Sequence, residues 1–172
     1  ERESGMILKY VFTGVIVLIS LLVQGHPSFD VLRIAGVKPD LIFIIVVYVS
    51  YSFGSFYGEV TAFISGLLHD AVSNSPLGLL AFPKVVVAFV AGMFGRSIFK
   101  SSILTISLFI FIASLVKGII TLFLCYVFHE ATASSVLSII LPEAFYNALL
   151  APPLFFLYDK IFESELDREG YR

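Results

Sequence analysis

LIFIIVVYVSYSFGSFYGEVTAFISGLLHDAVSNSPLGLLAF, residues 41–82, decides the fold. Its opening run, LIFIIVVYV, is continuously apolar, which excludes the alternation of a membrane β-strand, where every second residue faces a polar lumen. The only formal charges in the stretch are Glu59 and Asp70. A carboxylate facing lipid costs at least ~2.5–3.5 kcal/mol on insertion scales. His69-Asp70, followed by Ser-Asn-Ser-Pro, therefore reads as a buried polar turn between two membrane helices.

Composition supports the same solvent. The chain has 172 residues, 58% hydrophobic and 14% charged, with a mean hydropathy of +0.97. Soluble domains carry roughly a quarter charged residues, so lipid must cover part of this surface. There are 18 Phe and no Trp, which leaves the eight Tyr to form any interfacial belt. The net charge of −2 and pI near 5.9 come with no basic stripe, so nucleic acid is not an expected partner. Cys125 is the only cysteine, which excludes an intramolecular disulfide and reads as a packed thiol.

Six spans are expected, each near the ~20 residues that cross ~30 Å of hydrocarbon: about 6–23, 40–57, 58–73, 76–95, 103–128 and 134–158. They form a single polytopic unit over residues 1–172, with a charged tail over 159–172 that is helical or frayed at the surface. The first run, Tyr10 to Gln24, lacks an Ala-x-Ala cleavage pattern and reads as a retained helix. The third is short, so a re-entrant hairpin and five crossings are the competing count. Basic residues decide between them. Six crossings put Arg2, Lys9, Arg96, Lys100, Lys160, Arg168 and Arg172 on one side and only Arg33 and Lys38 on the other. The expected fold is thus an all-α integral membrane protein, a six-transmembrane-helix bundle with N- and C-termini cytoplasmic.

Helices in lipid pack through small residues that allow close backbone approach. Stepping by four from Ser50 gives Gly54, Gly58, Ala62, Gly66 and then Asp70. Ala88 and Gly92 make a second pair, and Ala144 and Ala148 a third. Each stripe serves internal packing or docks a helix of another protein.

Ionisable groups inside spans are rare and want partners. Lys84, eight residues into the fourth span, is expected near mid-membrane, and Lys117 centrally in the fifth. Glu143 is expected to pair with one of them. Pro83 and Pro142 precede Lys84 and Glu143, so two kinks beside charges suggest a polar pocket between the fourth and sixth spans. Asn147, one turn after Glu143, faces it. Ser75-Pro76 is a helix-start signal. Asp70 is placed to accept the orphan N–H groups of that start and staple the hairpin, and Gly78 to admit a close neighbour. Asp70, Pro76, Gly78, Lys84, Lys117, Glu143 and Asn147 are the candidate pocket or partner-binding residues. His26, His69 and His129 have no zinc spacing. Neither catalytic residue, metal nor cofactor is expected, since no Ser-His, Cys-His or HExxH arrangement occurs.

KPDLIFIIVVYVSYSFGSFYGEVTAFISGLLHDAVSNSPLGLLAF resembles the core signature of the bacterial rod shape-determining protein family MreD. The matching pieces are Pro39-Asp40 opening a span, Gly66-Leu67-Leu68-x-Asp70, and Pro76-Leu77-Gly78. LPEAFYNALLAPPLFFLYDKI, residues 141–161, is similar to the family's C-terminal helix, with Asn147 and Pro152 in place. The resemblance implies a non-catalytic subunit of the cell-elongation (rod) complex in the bacterial inner membrane. It also implies a direct partner, MreC, and association with RodA, its class B penicillin-binding protein and the MreB filament. The role implied is control of lateral peptidoglycan synthesis and cell shape.

The alternative is a transporter-type binding subunit. MreD-like proteins are similar in size and span number to the S components of energy-coupling-factor vitamin importers. Against it, the first span, YVFTGVIVLISLLVQ, lacks their Ala-x-x-x-Ala docking motif.

Overall fold

The computed structural model describes residues 2–33, 36–98, 102–128 and 133–168. Lys100, Arg172 and the His129-Glu130 pair lie outside the described residues, as do the side chains of Arg2, Arg96 and Arg168. The protein is all-α, with no strand among the described residues. Among the described residues, six main helices follow one another: α1 Arg2–Gly25, α2 Leu41–Phe53, α3 Ser55–Ser73, α4 Ala81–Ile98, α5 Ile103–Val127 and α6 Ala133–Ile161. A 3-10 turn, Pro27–Leu32, leads from α1 toward α2, and a short α7, Glu163–Arg168, ends the described chain. Three helices among the described residues are long and apolar enough to cross a membrane, over Ile7–Gly25, Ile103–Val127 and Ser138–Ile161.

α2 is apolar on all sides, and a helix of that kind belongs in an interior. Every residue from Ile42 to Val49 is inaccessible. α2 packs against α1, α3, α4 and α6. At 13 residues it is only about 20 Å long, and what encloses it is protein rather than lipid. Rings gather at its far end: Tyr48 meets Phe155, Tyr158 and Phe162 at centroid distances of 5.1–5.9 Å. The Tyr48 hydroxyl donates to Asp159 Oδ1 (2.9 Å). Phe162 and Leu166 are buried in the same core, so the expected surface tail is instead partly a packed element.

The chain reverses at Gly54, not at Gly58 as the span boundaries predict. Gly54 has φ +94, which an L side chain rarely adopts. Gly58 has a different use: a Cβ there would stand 2.7 Å from the Ser50 Cα, so α2 and α3 touch backbone to backbone. Gly66 does the same toward α4, where its Cβ would reach Ala81 Cα at 2.5 Å, and Gly92 closes α4 on Ser55. Ser50, Ala62, Ala88, Ala144 and Ala148 are all buried. Gly118 lies against Ile140 between α5 and α6, a contact the small-residue reading missed. Its signal was available: Ser114, Gly118, Thr121 and Cys125 recur at helical spacing, and all four are buried.

α1 is held to α3 by polar contacts. Thr13 Oγ1 and Tyr57 Oη lie 2.8 Å apart, and the Tyr57 hydroxyl donates to the Lys9 carbonyl (3.0 Å). The Lys9 ammonium sits 4.5 Å from the Phe53 ring centre. Between α1 and α2, Asp30 pairs with Arg33 (3.2 Å) and with Lys38. The Lys38 hydrogen bond holds the Asp30 carboxyl below its usual range.

Candidate functional site

Two carboxylates organise the end of the bundle where α2 and α4 begin and α3 ends. Asp70, near the C-terminus of α3, is completely buried. Its Oδ1 accepts from the Ser75 hydroxyl and the Leu80 N–H, both at 2.9 Å. Its Oδ2 accepts from the N–H groups of Gly78 (2.9 Å) and Ala81 (3.3 Å). Those N–H groups are the orphan donors of the α4 start, and the positive end of the helix dipole favours a carboxylate there. The hairpin between α3 and α4 is therefore closed by one side chain.

The Ser75-Pro76 helix signal is a near miss. Pro76 to Leu79 form a turn, with the Leu79 N–H donating to the Pro76 carbonyl (3.1 Å), and α4 begins at Ala81. Gly78 takes φ +98 with open space around its Cβ position. It supplies the left-handed third residue that this turn demands, not the expected close approach. The late start also moves Lys84 from mid-span to the first turn of α4. Pro83 falls in that same turn, where a missing N–H disturbs a helix least. The predicted kink beside Lys84 is thus absent. Pro142, Pro152 and Pro153 lie inside α6, which runs on through them to Ile161.

Asp40 is the second carboxylate, and sequence reasoning gave it only the role of opening a span. It caps α2, its Oδ1 accepting the Phe43 N–H (2.9 Å). Its Oδ2 receives both buried lysines, Lys117 Nζ at 2.9 Å and Lys84 Nζ at 3.2 Å. Lys117 bridges onward to Glu143, so Glu143 meets Lys117 and the partner of Lys84 is Asp40. Lys84 Nζ also lies 3.2 Å from His69 Nδ1. Lys117 further stands 4.8 Å from the Phe43 ring centre.

Asn147, fully buried, joins three helices. Its Oδ1 accepts the Asp40 N–H (2.9 Å), while Nδ2 donates to Ser114 Oγ (3.2 Å) and reaches Glu143 Oε1 (3.5 Å). Two carboxylates and two ammonium groups balance, and each buried charge has more than one partner, the condition under which buried ion pairs hold. The polar groups expected between the fourth and sixth spans pair with one another in a layer of charge. Asp40, Lys84, Lys117, Glu143 and Asn147 come together there; Asp70, Pro76 and Gly78 form the adjoining knot. Among the described residues, no group of three or more His, Cys, Asp and Glu could hold a metal ion.

A family model described as rod shape-determining protein MreD matches residues 4–164. The chain belongs to the MreD family. Its apolar helices and this membership make it a membrane protein of a non-enzymatic, shape-determining family. Neither the curated proteins nor the solved structures offer a significant match. The MreD match spans both carboxylates and every residue of the charge layer.

Proposed function

We propose that this chain is a non-catalytic inner-membrane subunit of the bacterial rod complex. It binds MreC directly and helps to control where lateral-wall peptidoglycan is made. RodA, its class B penicillin-binding protein and the MreB filament are associates in that assembly. The chain crosses the membrane six times as one polytopic domain, with both termini in the cytoplasm. The excess of basic residues on the predicted cytoplasmic side supports that orientation. The observation that carries the reading is the family match over nearly the whole chain. The charge layer supports a structural role for the buried ionisable residues, because each already has a partner within the chain.

The test is detergent co-purification of the tagged chain from its native membrane, with identification of the bound proteins. Recovery of MreC with the elongation machinery is expected. Recovery of an ABC-type energising module in place of MreC would reverse the reading in favour of a transporter subunit.

A further inference from the structure

The charge layer is also a height mark. α1 ends at Gly25, next to Gln24, whose side chain donates to the Pro39 carbonyl (3.1 Å) beside Asp40. α3 ends at Ser73, three residues past Asp70, and α4 begins at Ala81. The polar Asn74-Ser75 turn marks this level from outside as well. α5 and α6 do not stop there. Lys117 touches Asp40 ten residues before α5 ends at Val127, and Glu143 lies ten residues after α6 begins at Ala133. At ~1.5 Å per residue both helices overhang the layer by about 15 Å.

One face of the α5 overhang is apolar and exposed. Between Lys117 and Phe128 the sequence carries no charge, and Ile119, Phe123, Tyr126 and Phe128 are 61–78% exposed. A flat membrane surface set by the polar turns beside α3 would leave Phe123, Tyr126 and Phe128 in water. A lean of the protein, within the roughly 0–40° that membrane helices show, together with local thinning, meets such a difference at less cost than water exposure of several large apolar groups.

We propose that the hydrocarbon–water boundary around this protein is skewed: measured along the axis of α2, it lies about two helical turns higher beside α5 than beside α3, with lipid acyl chains covering the overhang. The inference depends on membrane embedding and on no protein partner, so its failure leaves the rod-complex reading untouched.

Single cysteines carrying a nitroxide label test it. They replace Leu77, on the exposed turn before α4, and Phe123, on the overhang, each in the Cys125→Ala chain. The full chain is reconstituted in phosphatidylethanolamine–phosphatidylglycerol vesicles, and collision with oxygen is compared with collision with a water-soluble nickel chelate. Phe123 stands higher on the protein, yet its label is expected to favour oxygen several-fold more than the label at Leu77. Equal preference, or the opposite order, overturns the proposal. The opposite order would make the overhang a water-facing surface for a protein partner. The unaltered chain gives an independent reading if the cysteine variants do not fold. In vesicles containing a phospholipid with an acyl-chain diazirine, photoadducts are expected within residues 123–128, and none there overturns the proposal.

Discussion

Asp70 and Asp40 are both buried carboxylates at the same end of the bundle, and they are held in opposite ways. Asp70 takes hydrogen bonds from neutral donors, all within eleven residues of it in sequence. Asp40 takes one local N–H, from Phe43, and two full charges from far along the chain, Lys117 being 77 residues away. One carboxylate shapes a hairpin; the other holds helices together. The local knot tolerates partial replacement of its acceptor, because neutral donors lose only hydrogen bonds. The distant knot does not, because removing its centre strands two cations in a low dielectric.

Asp40→Asn therefore has the largest expected effect, a loss of about 3–5 kcal/mol in unfolding free energy, the usual cost of removing one member of a buried ion pair. Denaturant titration in detergent measures it. Adding Lys84→Met, which removes one of the stranded cations, is expected to restore much of the loss; no recovery would mean that the stranding of Lys117, not of Lys84, carries it. Asp70→Asn is expected to cost less, about 1–3 kcal/mol, as one oxygen is replaced by an amide facing N–H donors. Here a second change at Lys84 should not help, and faster hydrogen exchange should be confined to residues 75–82. Gly66→Ala sharpens the contrast from the packing side. With the Ala81 backbone in the way, a loss of about 1–3 kcal/mol is expected, whereas Gly14→Ala, which meets open space, should fall within about 0.5 kcal/mol of the parent. Glu143→Gln is expected to cost only about 1 kcal/mol, because its side chain is partly exposed and Lys117 keeps Asp40. A loss as large as that of Asp40→Asn would show Glu143, not Asp40, to be the anchor of Lys117.

The same contrast explains what could be read from the residues alone. The Asp70 staple was legible because its donors follow within one turn and one helix start. The small-residue stripe was legible because spacing by four is a local signal, and Gly58, Ala62 and Gly66 lie where it puts them. Asp40 as the shared partner of two lysines was not, since nothing local distinguishes it from an ordinary cap. The start of α4 was misplaced because Ser75-Pro76 carries the same signal whether a helix or a turn follows; Gly78, with its positive φ, postpones the helix to Ala81. That five-residue shift then propagated, setting Lys84 too deep and turning Pro83 into a kink. In sequence α2 is one span among six and nothing distinguishes it as central, because an all-apolar helix looks alike whether its surroundings are lipid or protein. Only the enclosing helices distinguish the two.

The long separation within the charge layer has a consequence for synthesis. The ribosome delivers Asp40 well before Lys84, and Lys117 and Glu143 later still, so a nascent chain passes through stages in which acid and base do not balance. A chain halted after α4 holds Asp40 and Lys84 without the α5 ammonium or the Asn147 amide that complete their surroundings. Such fragments have an incompletely satisfied polar layer where the finished protein has a closed one.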